Sequence, residues 1–210
     1  DLILASGDML SGDREEGDAI AVALLSRLSD LAPVCFVNGN HEMCVERHQP
    51  ERYQKFMDDL KNGGVQVLHN ETAWFWIDGE KVAVTGYELP WEYYRRFSRR
   101  HPSVVGMERS IGKRKQDAYQ ILLTHNPVFF EEYAAWGADF TFAGHLHGGF
   151  IRLPYFGGVI SPQFQLFPKY DHGLYQMDTS SMVVGAGMGN HSGLFRINNP
   201  TEIVTVRIKR

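Results

Sequence analysis

The sequence predicts an α/β domain in which central β-sheets are covered by helices. Short apolar runs, typical of buried strands, alternate with segments of helical periodicity along the first part of the chain. Farther along, Gly-rich turns separate short apolar runs, and the pattern becomes that of antiparallel hairpins. Strands that first alternate with helices and then give way to hairpins favour sheets flanked by helices, and we expect residues 1–210 to form one domain.

The composition is that of a globular chain and argues against several classes of function. With 210 residues, 43% of them hydrophobic and 22% charged, the chain can bury one sizeable core. The net charge of −4 provides no global basic field, so we expect no nucleic-acid partner. Cys35 and Cys44 are the two cysteines, and we expect both to be free thiols. The sequence opens at Asp1 on an apolar run without an initiator Met, so we expect the natural amino terminus to lie upstream.

The first two predicted strands each end on polar residues. The apolar run 2–5 leads into Gly7 and Asp8, and the run 34–37 leads into a turn formed by residues 38–41. Between these strands, residues 15–31 show the periodicity of an amphipathic helix, for which Asp13 is the candidate cap. The apolar face of this helix is predicted to contain Ile20, Leu24, Leu25 and Leu28.

The middle of the chain predicts a further helix and a hairpin. Residues 50–60 show helical periodicity and are closed by glycines. Strand candidates follow at 65–68, 72–77 and 81–85. The Asp78-Gly79 pair between the last two is a hairpin turn signal, so these two strands should be antiparallel neighbours.

The last part of the chain predicts two more strands that end on histidines, followed by hairpins. The strands span 121–124 and 139–143, with a helix predicted over 129–136 between them. Antiparallel strands are expected in the remainder, including the apolar runs 182–184 and 203–206.

Potential metal ligands follow four of the predicted strands. They are Asp8, Asn40 with His41, His125, and His145 with His147. Carboxylate oxygen, amide oxygen and imidazole nitrogen all bind divalent cations. Open α/β sheets collect ligands at the carboxyl ends of their strands, so we expect these side chains to converge on one edge of a sheet. In the last loop, the alternation of His145 and His147 lets their side chains reach different ions.

Four of these segments resemble the successive signature blocks of the calcineurin-like metallophosphoesterase superfamily. The segments are Gly7-Asp8, Gly39-Asn40-His41-Glu42, Thr124-His125-Asn126-Pro127 and Gly144-His145-Leu146-His147. Three segments of the tail resemble a bacterial membrane-associated phosphodiesterase branch of that superfamily. They are 173–175, 184–189 and 199–203.

The resemblance implies a four-layer α/β/β/α sandwich of two mixed sheets flanked by helices, with its first strand upstream of Asp1. By the same resemblance, Asp8 bridges two metal ions and His147 binds the first of them. The coordination of the second ion is completed by Asn40, His125 and His145. His41 then stabilises the transition state or protonates the leaving oxygen, and its alternative role is to orient a ligand. The Asp-x-His block that supplies two further ligands to the first ion in the family is expected upstream of Asp1.

The implied function is a metal-dependent phosphodiesterase in which two divalent ions, Mn, Zn or Fe, activate a hydroxide to hydrolyse a phosphate ester. The alternatives are a scaffold that keeps the fold but binds a partner, and a mononuclear metal hydrolase. The branch also implies membrane association through an upstream segment, but it does not identify the cellular compartment.

Two groups of side chains are candidates for substrate or membrane contacts. An amphipathic, lipid-like ester would fit aromatic side chains from two regions, although core packing is the alternative for most of them. They are Trp91, Tyr93, Tyr94, Tyr155, Phe156, Phe164 and Phe167. A basic stretch could meet an anionic membrane surface or a substrate phosphate, and its alternative is a solvated helix face. It contains Arg95, Arg96, Arg99, Arg100, Lys113, Arg114 and Lys115.

Overall fold

The structure is a computed structural model that describes residues 1–12, 15–95, 100–149, 152–153, 157–159, 166–189 and 196–209. The helices are α1 (Asp18–Ser29), α2 (Asn40–His48), α3 (Pro50–Asn62), α4 (Val104–Ile111) and α5 (Phe130–Trp136), with 3₁₀ turns at Trp91–Tyr94 and Pro127–Phe129. The first strands are β1 (Ile3–Ala5), β2 (Val34–Phe36), β3 (Gln66–Val67), β4 (Thr72–Ile77) and β5 (Glu80–Tyr87). The later strands are β6 (Tyr119–Thr124), β7 (Phe140–Ala143), β8 (Arg152–Leu153), β9 (Gly157–Gly158), β10 (Gly173–Met177) and β11 (Ser180–Val184).

The strands form two principal sheets and a small ribbon. The first sheet has the order β1-β2-β3, and its described strands are parallel. The second has the order β10-β11-β7-β6-β5-β4 and is mixed, because β4–β5 and β10–β11 are antiparallel pairs within an otherwise parallel sheet. Strands β8 and β9 form a separate antiparallel pair.

The two sheets pack face to face because alternate side chains of their strands are apolar on both faces. In β2, Cys35 points into the apolar layer between the sheets, whereas Phe36 points to the opposite side. In β6, Ile121 and Leu123 enter the same intersheet layer, and Leu122 faces away from it. Period-two alternation with two apolar faces is what a strand needs when it is covered on both sides.

Helices cover the outer face of each sheet and complete four layers. Helices α1 and α3 pack on the first sheet through residues such as Leu25 and Phe56. Helices α4 and α5 cover the second sheet through residues such as Met107 and Tyr133. The α/β/β/α sandwich implied by the sequence resemblance is therefore confirmed.

Several local predictions are also confirmed. The β4–β5 hairpin turns at Asp78 and Gly79, whose φ values of 50° and 81° are those of the predicted tight turn. Helix α3 begins and ends close to its predicted bounds. Cys35 and Cys44 are free thiols. Among the described residues, none of the helices is both long and apolar enough to cross a membrane.

Three local predictions differ from the structure. Residues 203–206 form no strand in the structure. Ile20 is 71% exposed, since α1 packs through the stripe that contains Ala21, Leu25 and Leu28, one position away. Asn40 and His41 begin helix α2 instead of forming a turn. Helix α4 lies within the basic stretch, for which a solvated helix face was the alternative. Asp13, the candidate cap of α1, lies outside the described residues.

Candidate metal centre

The loops that carry the potential ligands meet at one rim of the sandwich. Asp8 follows β1 and Asn40 follows β2, both in the first sheet. His125 follows β6, and the 144–149 loop follows β7, both in the second sheet. The expectation that one sheet edge collects all these residues is therefore wrong. Two facing sheets each contribute two strand ends, and their packing brings the four loops together.

Asp8, His125 and His145 form the centre of the site. Asp8 Oδ2 lies 3.0 Å from His125 Nε2, and His125 Nε2 lies 3.1 Å from His145 Nδ1. One potential ligand atom from each of the three residues lies within 4.8 Å of the others. Neighbouring ligands of one ion lie about 3.0–3.5 Å apart when metal–ligand bonds are about 2.0–2.2 Å. Two of the three pairs of ligand atoms therefore have the spacing expected around a single divalent ion.

Two further atoms at this site fit the same interpretation. His145 Nε2 and Asn40 Oδ1 are buried, and neither has a hydrogen-bond partner among the described residues. Buried polar atoms are nearly always satisfied, so an unsatisfied imidazole nitrogen and amide oxygen at one rim require an explanation. A cation can accept a lone pair from either atom. A single ion cannot bind both ring nitrogens of His145, so either the unpartnered Nε2 or the Nδ1 beside His125 would be the ligand atom.

The protonation states favoured for Asp8 and His145 are those of metal ligands. Burial by itself raises the pKa of Asp8, but the charge and hydrogen bond of His125, with the charges of His41 and His145, lower it well below its ordinary value. Burial, followed by the charge of His125, holds the pKa of His145 well below its ordinary range. Asp8 is therefore a carboxylate, and His145 is a neutral imidazole with a lone pair available.

His125 is held in place from both sides of its ring. Its Nδ1 lies 2.5 Å from the carbonyl oxygen of Ser6, and its Nε2 faces Asp8. Burial alone lowers the pKa of His125, but the carboxylate of Asp8 offsets this effect and raises it above its ordinary value. A backbone acceptor on Nδ1 fixes the ring orientation, as is common for histidines that bind metals through the other nitrogen.

The amino terminus of α2 points toward this cluster. The backbone N–H of His41 donates to Asp8 Oδ1 over 2.9 Å. The half-buried imidazole of His41 is close enough for its charge to lower the pKa values of both Asp8 and His145. Helix amino termini attract anions through their unpaired N–H groups and dipole, so this end of α2 can face a phosphate.

Glu42 is a site residue whose role sequence reasoning missed. Its fully buried carboxylate accepts three backbone hydrogen bonds, from Asp8 (2.8 Å), Leu10 (2.7 Å) and Gly39 (2.8 Å). Burial, together with the negative charge of Asp8, raises the pKa of Glu42 although these three donors favour its charged form. The position of Glu42 three residues after Gly39, at the start of a helix, is the sequence signal that could have identified it.

Two glycines allow the β1 and β2 loops to approach closely. A Cβ atom on Gly39 would lie 2.2 Å from Asp8 Oδ1, and one on Gly7 would lie 2.3 Å from the backbone nitrogen of Gly39. A larger residue at position 39 would displace the carboxylate of Asp8, and one at position 7 would push the backbones of the two loops apart.

His147 lies beside the cluster and is held by the C-terminal part of the chain. Its charge contributes to the low pKa of His145, which places the two imidazoles in one electrostatic environment. Its Nδ1 lies 3.3 Å from Arg196 Nη2, and its carbonyl oxygen accepts from the side chain of Asn199. His147 is not part of the cluster formed by Asp8, His125 and His145.

The predicted aromatic residues divide between core and surface. The Tyr94 ring packs against the imidazoles of His145 and His125, with centroid distances of 5.3 Å and 6.1 Å. Tyr93 packs on Phe129, whereas Trp91 and Phe167 are exposed by 42% and 57%. Three other candidates, Tyr155, Phe156 and Phe164, lie outside the described residues.

Two residues of the basic stretch, Arg100 and Arg114, are paired with carboxylates. Arg114 binds both carboxylate oxygens of Asp139, at 2.9 and 3.0 Å, at the opposite end of β7 from the candidate centre. Arg100 pairs with Glu92 over 3.2 Å. Arg114 therefore cannot contact a phosphate at the centre. Arg96 and Arg99 lie outside the described residues.

Comparison with known proteins supports a common origin for this arrangement. A family model for calcineurin-like phosphoesterases matches residues 1–149. The chain is 24% identical to the metallophosphoesterase YkuE of Bacillus subtilis over an alignment of 211 positions, which covers 100% of this chain and 68% of YkuE. It is also 24% identical to the phosphodiesterase YaeI of Escherichia coli over 208 residues, which are 99% of this chain and 70% of YaeI.

A solved structure has the same fold. The phosphopantetheinyl hydrolase of Mycobacterium tuberculosis superposes with a TM-score of 0.51 and covers 88% of this chain, while the chain covers 78% of that protein. The sequence identity between the two is 14%, so this likeness concerns the fold alone.

Proposed function

Because the chain belongs to the calcineurin-like phosphoesterase family, and is a metal-dependent hydrolase of phosphoric ester bonds, we propose that it is a phosphodiesterase with a two-metal site. The family and branch predicted from the sequence motifs are confirmed by the matches above. The observation that carries the proposal is the buried cluster of Asp8, His125 and His145 at the rim where the two sheets meet.

The proposed ligands are those whose surroundings suit metal binding. Asp8 would bind both ions, and the remaining protein ligands of one ion would be Asn40, His125 and His145. The unpartnered Asn40 Oδ1 and His145 Nε2 atoms support this assignment. His147 contributes to the other ion. When bound, divalent ions polarise the phosphoryl oxygens of an ester and make water acidic enough to react near neutral pH.

We assign to His41 the proton transfer to the leaving oxygen. Its imidazole is half-buried at the first turn of α2, and its backbone N–H holds Asp8 Oδ1 at 2.9 Å. The same helix end presents its dipole to the phosphate, so the anion and the proton donor are positioned by one element. Glu42 fixes that helix end to the Asp8 loop and thereby sets the distance between His41 and the ligands.

The substrate we propose is an amphipathic phosphodiester. The 3₁₀ turn at Trp91–Tyr94 lies beside the centre, because the Tyr94 ring contacts two of the proposed ligands. Trp91, at the other end of this turn, is 42% exposed and can pack on the apolar part of an ester. The Trp91→Ala variant should lose turnover of a lipid-like diester but keep turnover of bis(p-nitrophenyl) phosphate, and equal loss on both substrates would contradict this assignment.

The function is tested by hydrolysis of bis(p-nitrophenyl) phosphate and p-nitrophenyl phosphate while Mn²⁺ is titrated. The 210-residue chain is compared with a chain that extends upstream of Asp1. His41→Gln should lower kcat by about 10²–10⁴-fold with unchanged Mn²⁺ affinity. His48→Gln is the matched control, since His48 lies on the same helix but is exposed.

The results of these assays distinguish between the possible functions of the site. Diester turnover that requires two equivalents of Mn²⁺ supports the two-metal phosphodiesterase, and saturation at one equivalent supports a mononuclear hydrolase. Bound Mn²⁺ without turnover of either ester in both chains would refute the proposed activity. A loss of Mn²⁺ affinity in His41→Gln would show that His41 acts as a ligand or an orienting residue instead of a proton donor.

A further inference from the structure

A segment near the C-terminal end of the chain forms hydrogen bonds with the loop that contains His147. We call residues 196–202 the strap. Asn199 of the strap is only 4% exposed, and its side-chain amide donates to the carbonyl oxygens of His147 and, over 2.8 Å, of Gly149. One amide group thus binds the backbone on both sides of Gly148, which fixes the spacing of those carbonyls.

The loop held in this way has an unusual backbone. His147, Gly148 and Gly149 have consecutive positive φ values of 50°, 68° and 81°. A non-glycine residue in this region costs on the order of 1 kcal/mol and persists only when its surroundings enforce it. The fit around Gly148 is tight, because a Cβ atom there would lie 2.7 Å from Asn199 Oδ1.

The strap is itself fixed to the second sheet. Glu202 accepts from the backbone N–H of Ala186 and from His172 Nε2, both over 2.8 Å. Its own N–H donates to the carbonyl oxygen of Gly187 over 3.2 Å. Ala186 and Gly187 follow β11, which is the parallel neighbour of β7, the strand that leads into the His147 loop. The strap therefore bridges the ends of two adjacent strands.

We propose that Asn199 is a positioning residue that holds the 144–149 loop so that the His147 imidazole faces the candidate centre. This inference deepens the proposed function and rests on it, because it assigns His147 as a ligand. Asn199 itself contacts neither metal nor substrate. It acts through the backbone of the loop, and a side chain that cannot donate to two carbonyl oxygens should release the loop without unfolding the sandwich.

The test compares Asn199→Asp with Asn198→Asp. The first variant keeps the shape of the side chain but turns an acceptor toward two carbonyl oxygens, and the second adds the same charge at an exposed neighbour. Three quantities are measured: thermal unfolding, amide hydrogen exchange of residues 144–149 in the metal-free protein, and Mn²⁺ affinity from the free-ion EPR signal. Asn199→Ala, which removes both hydrogen bonds without adding charge, is measured in parallel and decides the outcome if the Asp variant unfolds.

We expect faster exchange confined to residues 144–149 and Mn²⁺ affinity lowered by about 10–100-fold in the Asn199 variants, in line with other residues that orient metal ligands. Asn198→Asp should match the parent in all three measurements. Parental exchange in the loop, or a loosened loop with parental Mn²⁺ affinity, would overturn the inference. A parent chain that binds no Mn²⁺ would instead refute the proposed function, and the exchange pattern would still decide whether the strap holds the loop.

Discussion

Replacement of Glu42 should destabilise the protein more than any other single change at the rim. Its carboxylate is fully buried and accepts from the backbone N–H groups of Asp8, Leu10 and Gly39. Glu42→Ala leaves three N–H groups without this acceptor. Each buried N–H group that gains no water in its place lowers the free energy of unfolding by about 1–3 kcal/mol. Because water can enter the space left by the side chain, we use the lower end of this range for each group and expect the free energy of unfolding to fall by about 3–5 kcal/mol in total.

Glu42→Gln separates the charge from the shape of the side chain. The amide oxygen can keep the two bonds made by Glu42 Oε2, to Asp8 and Gly39, but the amide nitrogen then faces the N–H of Leu10. The loss should be smaller, about 1–3 kcal/mol. Urea denaturation measures both free energies of unfolding, and Glu46→Gln, an exposed neighbour on α2, is the control. If both Glu42 variants unfold within about 0.5 kcal/mol of the parent, the three bonds do not anchor the rim.

Three other predictions concern separate parts of the structure. Gly39→Ala should abolish Mn²⁺ binding measured by EPR, because its Cβ would lie 2.2 Å from the carboxylate that follows β1, whereas Gly17→Ala, with open space around it, should bind as the parent does. His69 Nδ1 donates a hydrogen bond to Glu88 Oε1 over 3.0 Å, which raises the pKa of His69. The pair therefore contributes stability below the ordinary His pKa of about 6.5, and this stability is lost as the pH rises through the higher pKa of the folded state. Urea midpoints should therefore fall more steeply between pH 6 and 8 in the parent than in Glu88→Gln, and parallel curves would exclude the pair as the cause. Burial raises the pKa of Cys35 to about 12, so Ellman's reagent should modify one thiol in the native protein and two in urea, and rapid modification of both in the native state would contradict the buried position.

Much of the fold followed from local patterns that the structure preserves. The apolar runs of β2 and β6, the helical spacing of α3 and the Asp78-Gly79 turn depend on neighbours in sequence, so they were predicted close to their observed bounds. Helix α2 was missed because its polar first turn, which contains His41, has the composition of a loop. Its start is stabilised by a contact with the β1 loop, which no local pattern describes.

The candidate ligands were predictable for the same reason. Asp8, His125 and His145 each follow a short apolar run, and strand ends are where α/β proteins place ligands. Their assignment to one sheet was wrong, because residue periodicity says that a strand is buried on both faces but does not say which sheet it joins. The long pairing between β5 and β6 and the separate pairing between β1 and β2 decide that division.

The sequence by itself determined which residues can bind metal and that they lie at strand ends. Only the tertiary structure decided which other residues hold these candidate ligands in position. Glu42 reaches the β1 loop across 34 residues, and Asn199 reaches the loop of His147 across 52 residues. Such contacts depend on how two sheets and a distant segment pack. A polar side chain that satisfies the backbone of another element has no periodicity of its own, and its role appears only when both partners are in place.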